Sequence, residues 1–365
     1  MANDPDKLQF MLLSSSAYFR LLKLKAKFKA TKDLHFKGLP NNYFIDSMTR
    51  MQGSRYVAGV TNYPAITGEA YCVDVGTRTA ENLKLNADDC IDNSFVDDQY
   101  VLLVLCIEPM IIVRDLVKIG QIEFGAKYEI CKNGNQISGS YAQQSGHSVY
   151  VVDHDTCLNR IEWQDIKDGK YVKTLVKRDV NNFYVDGRLG LATLSRHNVL
   201  SLPGGTEVDL KAKVDAKVTW TIVACIAKWW IACGDRDLLT DGHAIMASVN
   251  DNGDIRSTLA VKLTSNGYVN YKDGRQFAGI YSLQKVNVRG RRGIMLAIER
   301  DGCCHLISVV HGRMSKLQSV ASIVNVDVIK HEKDRIVTSV TATGTRGEFI
   351  AGGKGWTRLI SLKLK

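Results

Sequence analysis

Proline is scarce in this chain, with 5 among 365 residues. Because 45% of the residues are hydrophobic as well, the composition excludes a long disordered tail, which would be rich in proline and poor in apolar residues. No uninterrupted apolar run reaches the ~18 residues of a membrane-spanning helix. The apolar run at 8–13 follows Asp4 and Asp6, where a signal peptide would carry positive charge. The sequence therefore predicts an intracellular, cytoplasmic protein without a transmembrane segment, and it leaves the nucleus open as a location.

Regularly spaced cysteines are also lacking. The chain has nine cysteines, an odd number without a repeating interval, which does not fit a disulfide framework. Several lie in apolar stretches, where free cysteine behaves as a small buried hydrophobe. Two clusters resemble metal ligand sets, one around His154 and Cys157 and one around Cys303, Cys304 and His305. Neither has the paired C-x-x-C spacing of a zinc site, so we predict no metal and no cofactor.

What the sequence does contain is a repeated pattern of an apolar strand, a turn and a second apolar strand. The pattern recurs at intervals of roughly 40–60 residues, and a four-stranded propeller blade takes about 40–45 residues. One such sheet cannot bury both of its faces alone, so the units must pack against each other. The pattern predicts an all-β fold, a seven-bladed β-propeller of four-stranded antiparallel blades, from units at 55–75, 99–116, 136–154, 188–202, 229–249, 293–309 and 348–362.

The final unit shows the pattern most fully. Strands are predicted at 335–343, 349–353 and 358–364, and the middle strand is made of small residues, as are the segments 57–59 and 137–140. This arrangement resembles the WD-repeat family, whose repeats place a small-residue strand before a strand that ends in Trp-Asp. No Trp-Asp dipeptide occurs in this chain. The resemblance implies a propeller that serves as a protein-interaction platform.

Closure of the ring depends on the N-terminal segment. The last unit provides three strands, and a blade left open would expose a row of unpaired backbone groups at its edge. We predict that the chain forms a single domain over residues 1–365, closed by a strand within residues 8–30 that pairs with the C-terminal blade. The outer strands of other blades are predicted in segments such as 120–125 and 159–165. An alternative is that residues 8–28 form an incomplete eighth repeat, which would give eight blades.

Charge is unevenly distributed along the chain, whose formal net charge is +10. Alternating lysines near the N-terminus would lie close to Lys354, Arg358 and Lys363 if the ring closes as predicted. A second basic group is expected in a flexible loop between two strands, where Arg side chains could hold phosphate groups. The residues predicted to bind anions are Arg289, Arg291, Arg292, Lys23, Lys25, Lys27 and Lys29.

Catalytic patterns are lacking. The glycines at 352–355 precede an alternating strand and not a helix, so they indicate a hairpin turn and not a phosphate-binding loop. We predict that the chain is not an enzyme. The first hypothesis is an intracellular scaffold that binds other proteins, as a subunit of a multi-protein complex. The alternative is an anion-recognising propeller that binds RNA, DNA or phosphoinositide through its basic sector.

Overall fold

The computed structural model describes the greater part of the chain. The described residues are 26–40, 43–51, 53–62, 67–87, 91–96, 100–105, 110–115, 127–129, 142–153, 155–168, 170, 173–236, 242–263, 268–271, 274–277, 279–288, 291–320 and 337–364.

Strands dominate these residues, and two short helices, α1 (Trp163–Lys167) and α2 (Leu210–Lys213), lie between them. In the first half of the chain the strands are β1 (Ala26–Asp33), β2 (Tyr43–Arg50), β3 (Arg55–Asn62), β4 (Thr67–Asp74), β5 (Thr79–Ala87), β6 (Ile91–Val96), β7 (Tyr100–Leu105), β8 (Met110–Asp115), β9 (Lys127–Glu129), β10 (Ala142–Ser145), β11 (Ser148–Val152), β12 (Leu158–Glu162) and β13 (Lys173–Lys177). In the second half they are β14 (Asn182–Asp186), β15 (Gly190–Leu194), β16 (Val199–Ser201), β17 (Glu207–Asp209), β18 (Val218–Ile226), β19 (Trp229–Arg236), β20 (His243–Val249), β21 (Ile255–Lys262), β22 (Tyr268–Tyr271), β23 (Gly274–Phe277), β24 (Ile280–Val288), β25 (Arg291–Glu299), β26 (Cys304–Val310), β27 (Arg313–Val320), β28 (Val337–Ala342), β29 (Glu348–Gly353) and β30 (Trp356–Leu364).

The strands form four-stranded antiparallel sheets arranged as a propeller. Sheets of consecutive strands are β2–β5, β6–β9, β10–β13, β14–β17, β18–β21 and β24–β27. A composite sheet has the strand order β1-β30-β29-β28, and β22 and β23 form a two-stranded hairpin. The first strands of several successive sheets contact one another, as expected where the inner edges of blades meet around a common axis.

The sequence prediction of a seven-bladed propeller is wrong in its blade count. Among the described residues, six blades consist of four strands that follow one another in the chain. The last repeat provides three strands, and its sheet becomes four-stranded only by taking β1 from the other end of the chain. The number of complete repeats is therefore six, not seven. The eight-blade alternative is not supported by the described residues, because β1 belongs to the composite sheet and the β22–β23 hairpin has only two strands.

The predicted strand order was also wrong in the third unit. The apolar segment Ser148–Val152 is the second strand of its sheet, where the repeat pattern predicted the third. A two-residue turn at Gly146, whose φ is 59°, joins β10 directly to β11. As a result, the segment predicted as an outer strand, 159–165, forms parts of two elements, the third strand β12 and the helix α1. The outermost strand of this sheet is β13. The other predicted outer strand, 120–125, and the small-residue segment 137–140 lie outside the described residues.

The hydrophobic core lies between neighbouring sheets. One cluster joins β15 and β16 to β18, β19 and β20, and another joins β24, β25 and β26 to β28, β29 and β30. The largest fully buried side chains include Trp163, Trp220 and Trp230. Because the apolar face of one sheet is covered by the next sheet in these clusters, burial of these faces holds the blades together.

Polar side chains add hydrogen bonds between the inner strands of adjacent sheets. The amide of Gln143 in β10 both accepts from the Val185 N–H, at 2.8 Å, and donates to the Val185 carbonyl, at 3.1 Å. Asn182 in β14 accepts from the Val223 N–H at 3.1 Å. These side chains satisfy backbone groups that the sheet ladders leave unpaired.

The composite sheet joins the two ends of the described chain. β1 pairs antiparallel with β30, from Ala26 opposite Leu364 to Asp33 opposite Arg358. The Asp33 carboxylate lies 2.6 Å from the guanidinium of Arg358, whose side chain is largely buried. The prediction placed this strand within residues 8–30; the described pairing covers 26–33, and residues 1–25 lie outside the described part. Within the described residues, no helix is long and apolar enough to cross a membrane.

Candidate interaction surfaces

The predicted basic residues near the N-terminus are described only in part. Lys27 and Lys29 belong to β1, where their backbones pair with Lys363 and Ser361 of β30. Their side chains lie outside the described part of the structure, as do Lys23 and Lys25 entirely. Within the described residues, β1 therefore places the backbones of Lys27 and Lys29 beside the C-terminal strand β30.

The predicted arginine loop is shorter than expected. Arg291 and Arg292 are the first residues of strand β25, and Arg291 pairs with Val288 of β24. Only two residues, Arg289 and Gly290, separate these paired positions, and both lie outside the described residues. The expectation of a flexible loop containing all three arginines is wrong, because the hairpin pairs almost to its end. Whether these arginines bind an anion stays a prediction.

The two clusters considered as metal ligands have structural partners. Asp153 accepts hydrogen bonds from the Cys157 N–H at 2.8 Å and from the Asn159 amide at 2.9 Å, which fixes the turn between β11 and β12. His154 lies outside the described residues. In the second cluster His305 pairs with Glu299, and Cys304 is buried. Within the described ranges, no three His, Cys, Asp or Glu side chains are placed to hold a metal ion.

Sequence reasoning missed an exposed apolar pair on an edge strand. Leu175 and Val176 lie in β13 and are 45% and 39% exposed, the large hydrophobic residues of the described chain that are most open to solvent. β13 is the last strand of its sheet. A bulge falls beside this pair, since Leu158 of β12 is opposite Lys177 while the next residue, Asn159, is opposite Leu175. The sequence shows an apolar pair between lysines, but it does not show that both side chains are exposed.

Positive side chains flank this apolar pair. Lys173 and Lys177 stand at the two ends of β13, about one third exposed, and Arg178 follows directly. The Lys173 amine lies 3.6 Å from the buried Asp153 carboxylate. The Lys177 amine lies 2.5 Å from the Ser201 hydroxyl and 3.4 Å from Glu207 of the next sheet. We call this surface, made of residues 173–178, the β13 edge.

A group of buried and half-buried acids lies on two neighbouring sheets, β18–β21 and β24–β27. The His305 Nε2 atom is 2.5 Å from Glu299 Oε1, and both side chains have no exposed surface. Asp301, nearby in the β25–β26 turn, accepts from the Cys303 N–H at 2.9 Å, and burial raises the pKa of its carboxyl. The pKa of Asp235 in β19 is raised from 3.8 to about 7, chiefly by burial; a hydrogen bond from the Ile280 N–H lowers it, and the charge of Glu299 raises it.

This raised pKa makes stability depend on pH. Between 3.8 and about 7 the folded protein keeps the Asp235 proton that the unfolded chain has lost, so the free energy of unfolding falls as pH rises through that window, by up to about 1.4 kcal/mol per pH unit. Asp235→Asn removes this contribution. We expect the variant to lose less stability than the wild type between about pH 5 and pH 7, in urea titrations followed by tryptophan fluorescence.

The exposed Asp155→Asn provides the matched control for that measurement. It should follow the wild-type pH dependence. An Asp235→Asn variant with the same pH dependence as the wild type would show that the Asp235 carboxyl does not titrate in the folded protein as described.

Comparisons with known proteins identify the fold of this chain but do not assign it to a family. No protein-family model matches the chain, and no curated protein matches it. The N-terminal domain of Nup159 superposes with a TM-score of 0.60 at 12% identity, over 93% of this chain and 95% of that one. The structure of S. cerevisiae dbp5 bound to nup159, gle1, IP6 and ADP gives 0.61 at 12% identity, over 93% and 95%. Raptor from Chaetomium thermophilum gives 0.60 at 8% identity, over 96% of this chain but only 30% of Raptor. At these identities the likeness is one of fold, and the fold is a β-propeller.

Proposed function

We propose that this chain is an intracellular protein-interaction propeller of the WD-repeat type, a non-enzymatic subunit of a multi-protein complex. The observation that carries the proposal is the β13 edge, because the apolar side chains of Leu175 and Val176 remain open to solvent on a propeller that buries its other large described hydrophobics more fully. Exposed apolar residues at a sheet edge are an aggregation hazard unless a partner covers them.

The fold and its neighbours support the same proposal. The blades pack face to face around the ring, so loops and outer strands can vary without disturbing the core. In one of the similar structures, dbp5 is bound to nup159. That observation concerns Nup159, and it supports this proposal only by analogy of fold.

The proposal is tested by cross-linking in the cells that make the protein, followed by purification of the tagged chain and its partners. We expect the tagged full-length chain to yield reproducible partner proteins and to elute in gel filtration well above its own mass of 40.5 kDa. Reciprocal purification from each partner should recover the chain. A chain that elutes as a monomer from gently lysed cells, without a reciprocally confirmed partner, would remove the scaffold function.

The anion-recognising alternative predicts a different result. Binding of duplex RNA or DNA, or of phosphoinositide vesicles, should weaken steeply with salt, because each neutralised phosphate releases a counterion. Replacing Arg289, Arg291 and Arg292 together by Glu should lower that affinity. If the affinity is unchanged in this variant, the three arginines do not bind the anion.

A further inference from the structure

We infer that the β13 edge is a docking site for an extended, acidic segment of a partner protein, which adds to the β10–β13 sheet as a fifth strand. The inference rests on the proposed function and specifies where and how the partner binds. It is carried by three features of the described residues: an open sheet edge, an exposed apolar pair and a set of flanking cations.

The open edge provides the backbone groups for pairing. β13 pairs with β12 on one side, and within the described residues no strand pairs with its other side. In an antiparallel pair, alternate residues turn their N–H and C=O groups away from the partner strand. Over the five residues of β13 these outward groups form a template for an incoming strand.

The apolar pair gives the added strand something to bury. Leu175 lies at the centre of β13, and Val176 follows it beside the bulge. Lysine at an edge strand commonly prevents unwanted pairing, and a bulge does the same. Such protection does not require two large apolar residues at the centre of the strand, and their exposure works against it. The lysines and the bulge disfavour pairing with most strands, whereas the exposed apolar pair favours pairing with a strand of one kind.

The cations decide which kind of strand is accepted. Two copies of β13 pairing antiparallel about Leu175 would place Lys173 of one copy opposite Lys177 of the other, twice. Like charges directly opposite each other destabilise a sheet, so self-association through this edge is disfavoured. A strand with acidic residues at those two positions and apolar residues between them makes two favourable pairs instead. The occupant is therefore an acidic, alternating segment and not a second copy of this chain.

Short peptides test this inference on the full-length protein. The probes are an acetylated, amidated Thr-Glu-Val-Val-Val-Glu-Thr peptide carrying a fluorophore, whose two glutamates have the same four-residue spacing as Lys173 and Lys177, and its counterpart with lysine in place of both glutamates. We expect the acidic peptide to bind about tenfold more tightly than the basic one, from two charge pairs at the strand ends. The preference should shrink at high salt because the charges are exposed. Hydrogen exchange should show new protection at residues 173–177 when the acidic peptide is bound.

Two variants locate the binding to this edge. Leu175→Glu/Val176→Glu should abolish binding of the acidic peptide, and both positions are exposed, so the fold should persist in circular dichroism. Lys173→Gln/Lys177→Gln should keep the apolar contact but lose most of the preference for the acidic over the basic peptide. Thr258→Glu/Ala260→Glu introduces the same charges on the exposed positions of another outer strand, β21, and should leave binding unchanged.

The outcomes separate this inference from the scaffold proposal. Absence of peptide binding, or equal binding by the wild type and Leu175→Glu/Val176→Glu, overturns the docking edge. Partners that still co-purify with Leu175→Glu/Val176→Glu also overturn it while the scaffold function stands. If the peptide binds as expected but no partner is recovered from cells, the scaffold proposal fails and the edge remains a strand-binding site.

Discussion

Deletion of residues 1–33 should destabilise the whole propeller cooperatively, because it removes β1 from the composite sheet. Each backbone hydrogen bond contributes about 1 kcal/mol net, so loss of an eight-residue paired strand should cost on the order of 5 kcal/mol. The deletion also takes the Asp33 carboxylate away from Arg358 and exposes the edge of β30. Urea denaturation should show one transition at a much lower midpoint, and gel filtration should show association through the new edge.

The matched control is deletion of residues 1–25, which leaves all of β1 in place. We expect this shorter deletion to retain most of the stability that the longer one loses. Equal midpoints for the full-length protein and the 1–33 deletion would show that β1 does not hold the ring closed in solution. Two separate transitions in the 1–33 deletion would show instead that the sheets unfold independently.

Replacement of His305 by alanine should destabilise the protein by about 3–5 kcal/mol, the usual cost of removing one member of a buried pair. The His305 and Glu299 side chains are fully buried and lie 2.5 Å apart, on neighbouring strands β26 and β25. Without the imidazole, the Glu299 carboxylate loses a close polar partner in the interior, and a cavity opens on the sheet face that carries Ala297 and Ile307. Urea denaturation near neutral pH measures the effect.

A double-variant cycle separates the pair from the cavity. In Glu299→Leu/His305→Leu both polar groups are replaced by apolar side chains of comparable size, and we expect much of the lost stability to return. Glu299→Leu alone should be destabilised, because His305 then lacks this partner. Additive effects of the two single variants would contradict a direct coupling between the side chains.

The repeat pattern located the two middle strands of most four-stranded sheets correctly because it depends on local chemistry. Predicted strands at 349–353 and 358–364 correspond to Glu348–Gly353 and Trp356–Leu364. Lys354 and Gly355 form the expected hairpin turn between them, with Gly355 at a φ of 69°. In the unit at 136–154 the same method placed an apolar strand correctly but gave it the wrong position in its sheet. Apolar alternation marks a strand, whereas its order in the sheet depends on which turns are short enough to pair.

The exposed apolar pair could not be identified from the sequence. Positive charge drew attention to Arg291 and Arg292, which the structure places at the start of a paired strand. The sequence pattern did not identify Leu175 and Val176, since an apolar pair in a strand is usually buried. Exposure is a property of neighbouring sheets, and no local pattern reports it.

By itself the sequence determined that this protein is an all-β propeller, because alternating apolar strands and short turns leave sheets that must cover one another. The tertiary structure alone decided that six repeats are complete and that the remaining sheet joins both ends of the chain, because strand pairing over this separation depends on where the ring brings the ends together. It also decided which apolar residues stay in water. Leu175 and Val176 are exposed, and Glu299 and His305 are enclosed, because burial depends on the sheet packed alongside and not on the residue.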